Sequence, residues 1–458
     1  MKTKNNKSFA VIIFYLLVAF LVIFVLTSPA AAWEDHTSLT LLALADSELS
    51  GLTVNVTSLE DFIYEHETEL ALMLDQLDNY LLKKVENYPA LPPELRFAFN
   101  RGNSPAEKLF LALRINPEYR LQYYLKAPPG VVMDNRKELI FSDMAIIPYN
   151  YRYARFYQIA PGEQVSALEV VATAADEPDY GFDIGLFEDS GTSFGNIYGF
   201  GAQPFGNPQI SYSSQAAFHM GFYNESPLVY LASPSLKRCY PEMRALMFSA
   251  LSRFAFIHGD EYWGYRFAGW GLHYVQDLTM PYHASVMPGS SASKLVWVGL
   301  LDLLGISGPY NQLVNDVSNK HLLLEMLQLE RINSLYSKGD FEHSLVRALQ
   351  HNSVTETSFT EEHLRDLIAF NARKAGADVD EALEQVIRNR ELYESLHEFY
   401  EIENYDIYEV SYAPDTEQFV RFQNVLETIL TETSTHSKSY INWILSGAAT
   451  GENINTLE

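Results

Sequence analysis

The chain has 458 residues, with 58 Asp and Glu against 32 Lys and Arg, a formal charge of −26 at pH 7. At 47% apolar residues it can bury a sizeable core, which excludes an intrinsically disordered chain, and its acidity excludes a broad basic face for nucleic acid. A single cysteine, Cys239, excludes an intramolecular disulfide, a thiolate zinc finger and a CxxC redox pair.

Lys2, Lys4 and Lys7 precede an apolar run over 9–26, and Ser28-Pro29-Ala30-Ala31-Ala32 then leads to Trp33. That is the layout of a secretory signal peptide cut before Trp33, which predicts a secreted or periplasmic protein. The alternative is a retained anchor, because the run is nearly long enough to span a bilayer. Apolar spacing predicts helices over 36–44, 65–85, 245–257, 264–278, 322–336, 361–375, 381–400 and 417–445. Pro92-Pro93 and Pro128-Pro129-Gly130 read as breaks. The stretch 181–224, rich in Gly, Ser, Asn and aromatics, reads as loop with short helices or a small hairpin. Together these predict an all-α fold with long loops entering a helical core.

The chain has only 12 histidines, and several stand at ligand spacing with carboxylates. In the run His273-Tyr-Val-Gln-Asp277-Leu-Thr-Met-Pro-Tyr-His283, His273 and Asp277 are four residues apart and share a helix face. Pro281 should end that helix and let His283 swing back to the same cleft. His321 and Glu325 repeat the four-residue spacing, with three leucines between them for the core. Nitrogen and oxygen ligands in threes and fours suit zinc, and catalytic zinc keeps a position for water. A lone His–Asp pair on a helix is commonly a surface ion pair; two such pairs flanking a Pro-His turn favour metal. His66, His258, His343, His351, His363, His397 and His436 read as structural or surface residues.

The run HYVQDLTMPYH resembles the H-x3-D-x5-H element of the zinc-dependent phospholipase C family, which shares an all-helical trinuclear zinc fold with the fungal single-strand-specific nucleases. The resemblance extends to Trp33 as first mature residue, to His36, to Ala174-Ala175-Asp176-Glu177-Pro178, to Phe218-His219-Met220-Gly221-Phe222-Tyr223, and to His321 and Glu325. It implies three zinc ions per chain. Asp176, His219, His273 and Asp277 would hold the first, with Asp179 and Asp183 within one or two turns of Asp176. Trp33, through its free amine and carbonyl, would hold the second with His36 and a bridging Asp277; His283, His321 and Glu325 would hold the third. Asp176 and Asp277 are the catalytic carboxylates on this view, Asp176 also orienting or deprotonating the attacking water.

The resemblance implies one helical phosphoesterase domain over 33–458, with insertions at about 45–169 and 284–318 and a helical extension from about 350. The expected activity is secreted phospholipase C, hydrolysing the phosphodiester of phosphatidylcholine-like phospholipids by metal-activated water. The alternatives are a zinc-dependent single-strand nuclease or nucleotidase and a non-catalytic, metal-stabilised surface protein. No stable nucleic-acid partner is expected from so acidic a chain. Tyr and Phe near His219 could cage a choline ammonium or stack on a base. The apolar stretch 295–306, with Trp297, would either touch a membrane surface transiently or form a core or lid helix.

Overall fold

Asp35 opens the first helix among the described residues, its carboxylate accepting the Ser38 backbone N–H at 3.0 Å in an N-cap. The computed structural model describes residues 35–147, 154–206, 211–351, 359–395 and 406–452. Trp33, the N-terminal apolar run and its cleavage site lie outside the described residues, as does His397. The architecture is all-α. The helices that build the site are α1 (His36–Ala43), α2 (Ala167–Ala174), α3 (Ala216–His219), α4 (Pro241–Ile257) and α5 (Glu261–Asp277). They continue with α6 (Pro281–Ala284), α7 (Ala292–Leu303), α8 (Gly308–Lys338), α9 (Phe370–Val386) and α10 (Glu417–Thr450). Among the described residues no helix is long and apolar enough to cross a membrane.

Helix α5 is the centre. Every residue from Tyr262 to Asp277 is buried, because α4, α2 and α10 pack around it. Trp263 and Trp270 fill the space between these helices, with Trp270 edge-on to Phe182 and Phe248. The approach of α2 depends on Gly269: a Cβ there would stand 2.5 Å from the Val171 carbonyl oxygen and 2.6 Å from Ala174 Cβ. Helix α1 lies on α2 and α10, and α6 lies on α9. The C-terminal helix therefore closes the floor beneath both α1 and α5.

The 45–169 stretch, expected as an insertion, forms helices Leu59–Glu65, Glu67–Lys84 and Pro105–Ala112 together with small antiparallel sheets. In one sheet, β1 (Thr53–Asn55) pairs with β5 (Gln164–Ser166). In the other, β2 (Tyr124–Lys126), β4 (Phe156–Gln158) and β3 (Glu138–Leu139) lie in the order β2-β4-β3, with Lys126 opposite Phe156. β2 packs against α2, which brings this stretch to the edge of the site.

Several boundaries differ from the expected ones. The 65–85 helix begins earlier and is interrupted at His66, which caps one segment and opens the next. Pro281 does not end α5, which stops at Asp277; it opens α6, where a missing N–H costs nothing. The gap expected at 376–380 is helical: Gly376 lets α9 pass Pro288, 3.2 Å from where its Cβ would be. The stretch 181–224 is loop with short helices in its described residues, the first of the two forms expected there, and those residues hold no strand.

Candidate metal centre

Helix α5 presents His273 and Asp277 on one face, His273 Nε2 lying 3.2 Å from Asp277 Oδ2. His219, the last residue of α3, brings Nδ1 to 2.9 Å from that oxygen and 2.9 Å from His273 Nε2. The other oxygen of Asp277 faces elsewhere. Asp277 Oδ1 is 3.7 Å from His36 Nε2 and 3.3 Å from His283 Nδ1. Asp277 thus stands between two sets of imidazoles with one oxygen to each. Beyond it, His283 Nε2 lies 3.9 Å from Glu325 Oε1, which is 2.8 Å from His321 Nε2 on α8.

Three groups result whose ligand atoms lie within 4.8 Å of one another: His36, His273 and Asp277; Asp179, His219 and His273; His283, His321 and Glu325. All are buried. Their donors converge on common points without hydrogen-bonding one another well. His36 Nε2, Asp179 Oδ1, Asp277 Oδ1, His321 Nε2 and both Glu325 oxygens are buried with no hydrogen-bond partner. A nitrogen and carboxylate donor set with orphaned lone pairs fits divalent zinc.

The far sides of the His273 and His36 rings are tied down, as metal-binding imidazoles require. His273 Nδ1 lies 2.7 Å from the Ala175 carbonyl oxygen, so it carries the hydrogen and leaves the Nε2 lone pair to the site. His36 Nδ1 donates to Gln276 Oε1 at 2.8 Å, while the Gln276 amide nitrogen faces Thr40 and Ser437 hydroxyls at 3.0 and 3.1 Å. His219 Nε2 is 3.6 Å from Asp183 Oδ2, which accepts the Tyr274 hydroxyl at 2.6 Å. The His321 ring stacks on Tyr282 at 5.6 Å.

The carboxylates of 176–183 are sorted by buried cations. Asp183 accepts Arg244 Nε at 3.0 Å, and Glu177 accepts Arg266 at 2.7 and 3.1 Å. Asp176, expected among the ligands, turns instead to Lys126 Nζ at 2.5 Å and to the Thr37 hydroxyl at 2.5 Å. Asp179 takes the position beside the rings, Oδ1 at 3.6 Å from His219 Nδ1 and 3.7 Å from His273 Nε2. The reason is local. Residues Glu177–Tyr180 form a 3₁₀ turn, so side chains three apart eclipse and the cation at 126 selects the first carboxylate. The sequence also missed Gln276, three residues after His273, a spacing that a helix face makes readable, and Lys126, which nothing nearby announces.

Charge follows this geometry. Burial alone would lower the His273 pKa, but Asp277 and Asp179 outweigh it and raise it to about 9. Burial pushes Asp179 up to about 7 against the pull of His273 and His219. Burial likewise holds Glu325 well above the usual carboxylate range and His36 and His321 well below the usual imidazole range. A small cavity of about 10 Å³, lined by Phe205, Met220, Phe222, Tyr282, Val286 and Val317, reaches His321.

No family model matches the sequence, and no curated protein matches it. Among solved structures, a chain described as Clostridium perfringens alpha-toxin from an avian strain is similar at 13% identity and a TM-score of 0.25. The match covers 62% of this chain and 55% of that one. Agreement that loose fixes no activity, and the chemistry has to be argued from the side chains.

Proposed function

We propose that this chain is a secreted, zinc-dependent phosphodiester hydrolase of the phospholipase C type, acting on phosphatidylcholine-like lipids. The observation that carries it is the pair of Asp277 oxygens directed at different imidazole sets, with a third His–His–Glu group adjoining. His219, His273, Asp179 and Asp277 would hold one ion; His36, Asp277 and the Trp33 amine a second; His283, His321 and Glu325 a third. Asp179 replaces Asp176 in this assignment, because Asp176 is committed to Lys126. Bound divalent ions would supply Lewis-acid polarisation of a phosphoryl oxygen and a lowered water pKa.

The chain's own residues do the rest. Ala175 and Gln276 fix which nitrogen His273 and His36 present, so this part of the site is organised before substrate arrives. Asp277 neutralises the imidazolium that burial would otherwise forbid. The chain's formal charge of −26 supports a lipid rather than a polynucleotide, since it leaves no broad basic face to follow a phosphate backbone. Helix α7 supports transient contact with a lipid surface: Trp297 is 60% exposed, and Leu304 and Ile306 are exposed beyond it.

The test pairs metal analysis of the purified chain with two substrates. Two to three zinc per chain and release of phosphocholine from phosphatidylcholine vesicles are expected. Release of nucleotides from single-stranded DNA instead would replace this function with the nuclease, and absence of metal would end both. Sequencing the exported protein should find Trp33 first.

A further inference from the structure

Lys126 is a lysine at 5% exposure on β2, in the stretch between 45 and 169 that the resemblance leaves without a role. Burying an ammonium is costly unless it is paired and hydrogen-bonded. Here it is paired twice. Nζ lies 2.9 Å from Asp35 Oδ1 and 2.5 Å from Asp176 Oδ2. The same carboxylates hold α1: Asp35 accepts the Ser38 N–H at 3.0 Å, and Asp176 accepts the Thr37 hydroxyl at 2.5 Å and its N–H at 3.3 Å. The Lys126 backbone N–H is itself donated to Thr173 Oγ1 at 3.0 Å, so the strand is fixed to α2 where the ammonium reaches across.

Each partner of Lys126 adjoins a group that aims an imidazole. Asp35 is bonded to His36, and Asp176 is bonded to Ala175, whose carbonyl sets the His273 ring at 2.7 Å. His36 and His273 stand with ring centroids 4.1 Å apart in the group that Asp277 completes. His283, His321 and Glu325 come from other elements, α6 and α8. We propose that Lys126 is a positioning residue through which the 45–169 stretch draws helix α1 onto the site and sets His36 and His273 for a divalent cation. This rests on the metal reading above.

The test is a cobalt(II) titration of metal-free protein, followed by visible absorption, in wild type and Lys126→Met. The expected result is binding weakened about 10- to 100-fold in the part of the isotherm that His36→Ala also removes, the range usual for groups that orient metal ligands. The part removed by Glu325→Gln should be unchanged. An isotherm for folded Lys126→Met identical to wild type, or weakened equally throughout, would overturn the proposal. Should Lys126→Met not fold, Asp35→Asn keeps the cap acceptor for Ser38 and removes the charge, and the same split isotherm is expected. Should wild type bind no cobalt, the metal reading falls by itself. Amide hydrogen exchange then decides the clamp: faster exchange in Lys126→Met confined to 36–43 and 172–176 supports it, and unchanged exchange refutes it.

Discussion

Loading the metal-free protein with zinc at pH 7 should release protons, and the structure sets how many. His273 has a pKa of about 9, because Asp277 and Asp179 more than offset its burial, so it holds a full proton at pH 7. Asp179, pushed up to about 7 by burial, holds about half of one, and burial shifts Glu325 in the same direction. His36 and His321, lowered by burial, are already neutral. Ligands must bind deprotonated, so loading should expel more than one proton per chain. The same groups make the metal-free protein depend on pH. His273 has a folded pKa raised above its unfolded 6.5, so its stabilisation is fully present below 6.5 and lost as pH rises through 9. Asp179 is raised from 3.8 to about 7, so its contribution falls mostly below pH 7 and adds little above it, in the same direction. His273 should therefore account for most of a loss of about 2 kcal/mol between pH 7 and pH 9, a tenfold change in proton affinity being worth about 1.4 kcal/mol. Calorimetric titration in buffers of different ionisation enthalpy counts the protons, and urea unfolding of chelator-treated protein reads the slope. Proton uptake on loading, or metal-free stability that rises from pH 7 to 9, would refute the reasoning.

Asp179→Asn should weaken zinc at the His219–His273 group about 10- to 100-fold, whereas Asp176→Asn should keep the ligands and lose about 3–5 kcal/mol of stability by leaving Lys126 half-paired; metal analysis and urea unfolding distinguish them, and the reverse pattern would restore Asp176 as ligand. Gly269→Ala should cost about 1–3 kcal/mol through its 2.5 Å collision with the Val171 carbonyl and should weaken zinc as Ala175 moves off His273. An unchanged melting temperature would show that α2 can yield. Glu325→Gln should empty the His283–His321 group yet raise the stability of the metal-free protein, since both Glu325 oxygens are buried without partners; a fall in metal-free stability would mark Glu325 as a structural residue.

How far the site could be read in advance depended on distance along the chain. His273 and Asp277, like His321 and Glu325, lie one helical turn apart, so spacing alone puts each pair on one face. His283 was legible for a different reason than expected, since Pro281 opens a helix and so turns the chain back. Asp176 and Asp179 sit in one short turn with no period to separate them. What separates them is Lys126, 50 residues away on a strand that the helical pattern gave no sign of. The short strands were illegible because their three-residue runs carry no measurable alternation. The join at 376–380 failed because glycine there serves a close approach to Pro288, not a break.

The buried polar atoms of the centre are too expensive to be structural. His36 Nε2, Asp179 Oδ1, Asp277 Oδ1, His321 Nε2 and the Glu325 oxygens are buried and lack hydrogen-bond partners. At about 1–3 kcal/mol for each such group, their combined cost is on the order of 10 kcal/mol, comparable with the whole stability of a folded domain. A core needs no such cluster; leucines of similar volume would pack in its place at no polar cost. Nor does the surrounding structure relieve it, since the buried cations nearby, Lys126, Arg244 and Arg266, are committed to Asp176, Asp183 and Glu177 and leave the inner carboxylates facing imidazoles alone. The fold thus supplies positive charge up to the edge of the centre and stops. A group of divalent cations is the one species whose charge and preference for nitrogen and oxygen lone pairs would satisfy all of these atoms at once, which is why occupancy, before activity, is the property on which the function turns.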